Sequence, residues 1–289
     1  MRGRTGVKKL FYLLALLPLC AYARNPATVG PVKTCPNLAM GRPGAKLPGN
    51  TLIARRGYAC LHSARYKAPL WVCYRLTSQD LKRPVPRKDS FQPDPDLEPG
   101  YRAELYDYRG SGFDRGHMAN NRDMSRDCKT QAESFYLSNI VPQNPANNQL
   151  FWKALEDRFR DYVNAYGSLF IITGVIFSKP LPPGSGKLPL TIGEDHVRVP
   201  TWLFKIAVRK LSNGHYAALA IEVPNRPIAG VSEDYQDAMT RALTSIDRIE
   251  KDTGLDFLNA LTLAEQTRIE SKRAPKLWQV SVGMAKHRK

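Results

Sequence analysis

The residues best placed to do chemistry are four in a row, Asp114-Arg115-Gly116-His117. A neutral imidazole has an ordinary pKa of about 6.5 and takes a proton from water near neutral pH. Asp114 and Arg115 set both charge signs within three residues of that ring, and Gly116 leaves room for close approach of a substrate. The other histidines, His62, His196, His215 and His287, have no comparable setting and are read as structural. A second concentration of polar groups follows, Asn139-Ile140-Val141-Pro142-Gln143 and then Asn147-Asn148-Gln149. Those amides run directly into the pattern of an amphipathic helix, where asparagines would by themselves serve as N-caps.

The elements that must position these groups are legible in outline. A helix is predicted from near Asn148 to about Tyr166, and a strand-like stretch leads into Asp114–His117. Leu70–Thr77 has the β-branched and aromatic character of a strand, and the proline-rich run from Lys82 to Gly100 after it must be loop. That loop carries Arg83, Arg87 and Lys88. Further strands are expected at Leu169–Phe177, Thr201–Val208 and His215–Val223. Ser232–Thr253 reads as one amphipathic helix through Tyr235, Ala238, Leu243, Ile246 and Ile249. The order is mixed, with no regular β-α alternation, so the expected class is α+β with a largely antiparallel sheet flanked by helices.

Composition bounds the rest. Arg2, Arg4, Lys8 and Lys9 precede an apolar run from Leu10 to Cys20, and Ala21-Tyr22-Ala23 supplies a cleavage site. A bilayer span needs about 20 apolar residues. Residues 1–23 are therefore read as a signal peptide and not as a membrane anchor, which makes the protein exported, periplasmic or secreted. The division expected is an irregular arm at 24–49, a domain at 50–264 and a loosely ordered basic tail at 265–289. Beyond the signal lie Cys35, Cys60, Cys73 and Cys128. An even number in an oxidising compartment favours two disulfides. Of the three connectivities, Cys35–Cys60 with Cys73–Cys128 is preferred, with a buried free thiol at Cys73 as the alternative. The balance of 43 Lys+Arg against 26 Asp+Glu gives a formal charge of +17. Such an excess favours a polyanionic partner.

Taken together, D-R-G-H-M-A at 114–119, L-S-N-I-V-P-Q at 137–143 and N-x-x-x-W-x-x-x-E at 148–156 resemble the DNA/RNA non-specific endonuclease family with its ββα-metal finger. W-V-C-Y-R-L-T at 71–77, I-T-G-V-I-F at 172–177, V-P-T-W-L-F-K at 199–205 and I-D-R-I-E-K-D-T-G-L at 246–255 extend the likeness over much of residues 50–260. The resemblance implies a metal-dependent, sugar-non-specific endonuclease that leaves 5′-phosphate ends on DNA and RNA. It gives His117 the role of general base and Asn148 that of the protein ligand of the metal, with Arg115 beside the base. It further matches Arg87 to an upstream phosphate-binding arginine, a role that Arg83 or Lys88 could fill instead. Glu156 matches an acidic residue near the waters of the metal. In an ideal helix it lies about 12 Å along the axis from Asn148 at ~1.5 Å per residue, so it acts indirectly or forms a structural salt bridge.

The chemistry is consistent with those roles. Phosphodiester hydrolysis needs an activated water, charge neutralisation at the phosphorus and help for the leaving oxygen. Mg²⁺, or Mn²⁺ or Ca²⁺ in its place, keeps most of its waters, so one asparagine oxygen plus phosphate oxygens can suffice. Two rival readings remain: an exported basic nucleic-acid-binding protein without turnover, and an enzyme acting on another polyanion or a small phosphodiester. Gly184-Ser185-Gly186-Lys187 is read as a turn, because Leu188 replaces the Ser/Thr and Leu181 the first glycine of a phosphate loop. Of Trp71, Trp152, Trp202 and Trp278, three lie in strand or helix patterns that predict core burial.

Overall fold

The structure, a computed structural model, describes residues 35–44, 49–230 and 234–280. The signal-peptide reading of residues 1–23 lies outside them, as does the end of the basic tail. Among the described residues no helix is long and apolar enough to cross a membrane.

The frame is a seven-stranded antiparallel sheet in the order β1-β2-β3-β6-β9-β10-β11. Its strands are β1 (Asn50–Ala54), β2 (Ala59–Ser63), β3 (Ala68–Thr77), β6 (Ser168–Ile176), β9 (Trp202–Lys210), β10 (Tyr216–Pro224) and β11 (Leu243–Thr244). Two short antiparallel pairs complete the strands, β4 (Asp114–His117) with β5 (Ile140–Gln143) and β7 (Thr191–Ile192) with β8 (Val197–Arg198). The helices are α1 (Leu105–Tyr108), α2 (Cys128–Ser134), α3 (Lys153–Tyr166), α4 (Gln236–Arg241), α5 (Ile246–Thr253) and α6 (Leu263–Glu270).

The central strands carry apolar side chains on both faces because both faces are covered. Val72, Tyr74, Ile171 and Leu203 pack with Trp152, Leu155 and Phe159 on the side of α3. Trp71, Ile172, Phe204 and Ile206 pack with Ile246, Ile249 and Ile269 on the side of α5 and α6. A smaller third core of Tyr108, Leu137, Ile140 and Val197 sits under the β4–β5 ribbon, with Phe91 and Phe113 packed against it. The result is the α+β class expected, one large antiparallel sheet between helical layers.

Several expectations change. Cys35, Cys60 and Cys73 are free thiols, and Cys128 is disulfide-bonded to none of them. Strand alternation explains part of this: Cys60 enters the core on the α3 face, whereas Cys73 enters the opposite core, against which Cys35 packs. The Cys35–Cys60 bridge is therefore sterically closed, and the buried free thiol at Cys73 is the reading that holds.

The single helix predicted over 232–253 is broken. Residues 231–233 lie outside the described ones, and Leu243 and Thr244 leave the helical path to pair with Ile221 and Ala220 of β10. Ser245 then restarts the chain as the N-cap of α5, its side chain accepting from Arg248 N–H at 3.2 Å. Through residue 280 the tail is also packed. Ile269 is buried in α6, and the Trp278 ring meets Tyr162 and Tyr166 of α3 at 5.2 and 6.0 Å between centroids. Its apolar residues outweigh the basic ones that suggested a loose extension.

Candidate active site

The site is carried by the β4–β5 ribbon and the helical segment that follows it. β4 and β5 pair Asp114 with Gln143 and His117 with Ile140. At the end of β5 Asn144 caps the next helix, its side-chain oxygen accepting from Asn147 N–H at 3.1 Å, and Pro145 takes the first helical position. Asn147 and Asn148 are therefore inside the helix and not its caps. Asn147–Trp152 forms a wide π-type turn before α3 continues as a regular α-helix. Such turns are rare and recur at functional sites.

Within that turn the two asparagines part ways. Asn147 is fully buried, donating to the carbonyls of Pro224 and Arg226 at 3.1 and 3.0 Å and accepting from Gln143 at 2.8 Å. Asn148 is partly exposed and donates to Asp114 Oδ2 at 2.9 Å. An ionised carboxylate can only accept, so this bond fixes which end of the amide faces Asp114. It leaves Asn148 Oδ1 with no hydrogen-bond donor among the described residues. Gln149 donates to the same carboxylate oxygen at 2.8 Å. Asp114 thus ties the start of the ribbon strand to the turn that bears Asn148.

His117 stands at the other end of the same strand. Its ring lies between Phe91 and Phe135, at centroid distances of 5.2 and 5.1 Å, and those two phenylalanines meet edge-on at 4.8 Å. Nε2 is buried with no hydrogen-bond partner, which leaves Nδ1 as the nitrogen able to meet water. Burial, and after it the positive Arg87, outweighs the counter-pull of Asp89, with Arg115 adding to the shift. Together they push the imidazole down to about 3. The ring is neutral throughout the physiological range.

Gly116 has a different function from the one its place in the sequence suggested. A Cβ there would stand 2.1 Å from Gln143 Oε1 and 2.6 Å from Gln143 Cβ. The glycine accommodates the glutamine across the ribbon, and through it the Gln143–Asn147 bond, so the close approach is by protein and not by substrate.

Arg87, Asp89, Phe91, Arg115, Asp114 and Asn148 share one open cleft of about 530 Å³, which Arg109 also lines. Arg115 is exposed, its guanidinium stacked over Phe91 at 4.1 Å, and it makes no ion pair among the described residues. Arg87 is exposed beside Asp89 at 2.6 Å. Arg115 is thus available to an anionic ligand, and Arg87 donates through Nε to Asp89 and keeps its terminal nitrogens without a partner among the described residues.

Glu156 lies elsewhere. It is buried, accepts from Asn120 Nδ2, and has Lys205 Nζ at 3.9 Å. Around it Arg160 binds Asp123 at 2.8 Å and Asp157 at 2.7 Å, Tyr74 donates to Asp123 at 2.8 Å, and Lys205 donates to Thr173 at 3.0 Å. Burial pushes the Glu156 carboxyl up against the pull of Lys205 and Arg160. It does not line the cleft; Asn120, three residues beyond His117, is its link to the histidine loop.

The structure therefore gathers Asp114, Arg115, Arg87 and Asn148 around one cleft, with His117 at its aromatic edge, and sets Glu156 in a network behind them. The sequence reading missed Phe91, Phe135 and Asn225. Asn225 accepts from Asn144 N–H at 2.8 Å and donates to the carbonyls of Pro142 and Pro200, holding the strand-to-helix joint from β10. Proximity to Arg87 could have marked Phe91. Nothing in local spacing marks Phe135 or Asn225, which arrive through tertiary folding.

Comparison with known proteins accords with this geometry. The profile described as DNA/RNA non-specific endonuclease matches residues 37–264. Mitochondrial endonuclease G of Bos taurus is 34% identical over 254 residues, covering 85% of this chain and 81% of that one. A nuclease of Nostoc sp. is 30% identical over 285 residues, covering 93% and 97%. A crystal structure of the EndoG/EndoGI complex, concerned with EndoG inhibition, matches with a TM-score of 0.72 at 26% identity over 85% of this chain and 99% of that one. The chain belongs to the DNA/RNA non-specific endonuclease family, a family of nuclease hydrolases.

Proposed function

We propose that the protein is an exported, divalent-metal-dependent endonuclease that hydrolyses phosphodiester bonds in both DNA and RNA and leaves 5′-phosphate ends. The observation that carries this reading is the Asp114 bridge: one strand bears the neutral imidazole of His117 and, through Asp114, orients the Asn148 amide. The donor set suits a hard cation that keeps its waters. It offers one neutral amide oxygen with no partner among the described residues, next to an open cleft lined by arginines. Mg²⁺ is the ion proposed; when bound it would neutralise charge on the phosphate oxygens.

The residues divide the remaining work. His117 Nδ1 takes the proton of the attacking water, its ring kept neutral by burial and by Arg87. Arg87 and Arg115 bind phosphate oxygens, contacts that carry no base information and so give weak sequence selectivity. Glu156 acts as a positioning residue, holding Asn120 and the loop after His117. The formal charge of +17 supports association with either nucleic acid. Export rests on the signal-like residues 1–23, and recovery of a mature chain beginning near Arg24 from the periplasm or medium tests it.

Purified protein incubated with supercoiled plasmid and with RNA, with and without chelator, tests the activity. Cleavage of both that stops with chelator, giving ends that ligate without repair, is expected. Binding without cleavage would establish the non-catalytic alternative.

A further inference from the structure

Three carboxylates meet on the face of the main sheet opposite α3, where α5 and α6 pack. Asp247 and Glu250 stand one turn apart on α5, and Glu270 is the last residue of α6. An oxygen from each lies within 4.8 Å of the other two. In a protein of formal charge +17 this is an unexpected place to find no cation. None of the three is in an ion pair with a described residue, whereas Asp123, Asp157 and Asp252 each hold an arginine or lysine.

Glu270 supplies an independent sign of a ligand. The residue is only 5% exposed, and its Oε1 is buried without any hydrogen-bond partner. A buried, unpaired carboxylate oxygen is costly, and it faces two further acids. It also sits at the C-terminus of a helix, where the macrodipole is negative and favours a positive charge. Burial, then Glu250, Asp247 and Asp256, raises its pKa to about 8, and no basic side chain offsets them. Glu250 is held in place by accepting from Phe257 N–H at 2.7 Å through one oxygen, which leaves the other oxygen available.

We propose that Asp247, Glu250 and Glu270 form a binding site for a hard divalent cation, Ca²⁺ by preference, separate from the cleft of His117 and Asn148. Oxygens on opposite sides of one Ca²⁺ stand about 4.6 to 5.2 Å apart, so the three carboxylates are within the span one ion bridges. Flexible coordination also suits a site built from two helices and completed by water. The ion would staple the end of α6, and with it the packed tail, to α5.

The test is thermal unfolding of the Asn148→Ala protein titrated with CaCl₂, which removes the assigned ligand of the other metal. The midpoint should rise by about 5 °C once Ca²⁺ exceeds its Kd a hundredfold. The rise should vanish in Asn148→Ala/Glu270→Gln and also in Asn148→Ala/Asp247→Asn, whose exposed position guards against a folding defect. A midpoint indifferent to Ca²⁺ in Asn148→Ala, or a full shift retained in the Asp247→Asn double variant, overturns the proposal.

Discussion

The cleft around His117 and the network around Glu156 are two polar regions joined by Asn120, and they handle charge in opposite ways. In the cleft Arg115 and Arg87 are exposed and stacked on aromatic rings, and the titratable group between them is kept neutral. In the network Arg160 is shared between Asp123 and Asp157, and Lys205 is shared among Glu156, Thr173 and the Trp152 ring at 5.0 Å. One region leaves Arg115 without an ion pair among the described residues and Arg87 exposed beside a single carboxylate, and the other surrounds its cations with buried acids. The difference teaches that a glutamate in the right sequence register need not line the cleft its neighbouring motifs share. It can instead hold the loop that follows His117 through Asn120.

Substitutions can separate the two regions. The largest effect is expected from His117→Ala, which should cost about 10² to 10⁴-fold in turnover on DNA and RNA while the protein stays folded and binds nucleic acid. Added imidazole should restore part of the rate. Asn148→Ala should match the loss but respond to higher metal concentration and not to imidazole. A folded His117→Ala protein with near wild-type rates would end the assignment.

Glu156→Ala should show the reverse pattern. Leaving Lys205 buried without its carboxylate should cost about 3–5 kcal/mol of stability in denaturant unfolding. Replacing both, as Glu156→Leu with Lys205→Met, should recover much of it. If Glu156→Ala leaves stability intact but abolishes turnover, the glutamate belongs to the chemistry.

The pH dependences should also differ in sign. Burial, with Arg87 and Arg115 assisting it, lowers the His117 pKa, so the unfolded chain binds a proton that the folded one refuses. Stability should therefore fall as pH drops from about 6.5 toward about 3, and His117→Asn should flatten that fall. Buried His62, displaced in the same direction, will keep a share of the slope. For Glu156, whose pKa burial raises, the folded state binds the extra proton, and its contribution should fall as pH rises above about 4.5. Unfolding free energies of His117→Asn and Glu156→Gln across pH 3 to 8 check both signs.

The smallest effect should come from Arg87→Ala. It should weaken binding uniformly across sequences and reduce the salt slope of log K by about 1, without touching stability. A sequence-dependent loss would show that Arg87 reads bases.

The same contrast explains what was legible beforehand. β3, β6, β9 and β10 were read nearly to their ends, because strands buried on both faces are long apolar runs between turn residues. The strand that carries His117 and the helical segment that carries Asn148 were legible because both belong to one local ββα unit. The edge strand β1 and its neighbour β2 were missed, since their residues lack strict alternation. Leu243–Thr244 was lost inside a helix because its two residues answer to β10 and not to their neighbours. Asn225 and Phe135 carry no local mark, their roles being set by contacts made 81 and 18 residues away along the chain. Cys60 and Cys73 show the same limit: their thiols are pushed up by burial that only the packed sheet creates.

The wide turn at Asn147–Trp152 makes the site sensitive to the length of the chain as well as to its residues. Each residue of a regular helix turns the chain by about 100°. A π-type turn holds one residue more than an α-turn, so deleting a single residue between Asn147 and Trp152 would relax it to ordinary α-helix and remove the widening that sends Asn147 and Asn148 to separate partners. Asn147 would lose its buried carbonyl partners, and Asn148 would swing away from Asp114. In the divergence of such chains this stretch should therefore tolerate exchange of side chains more readily than any change in their number.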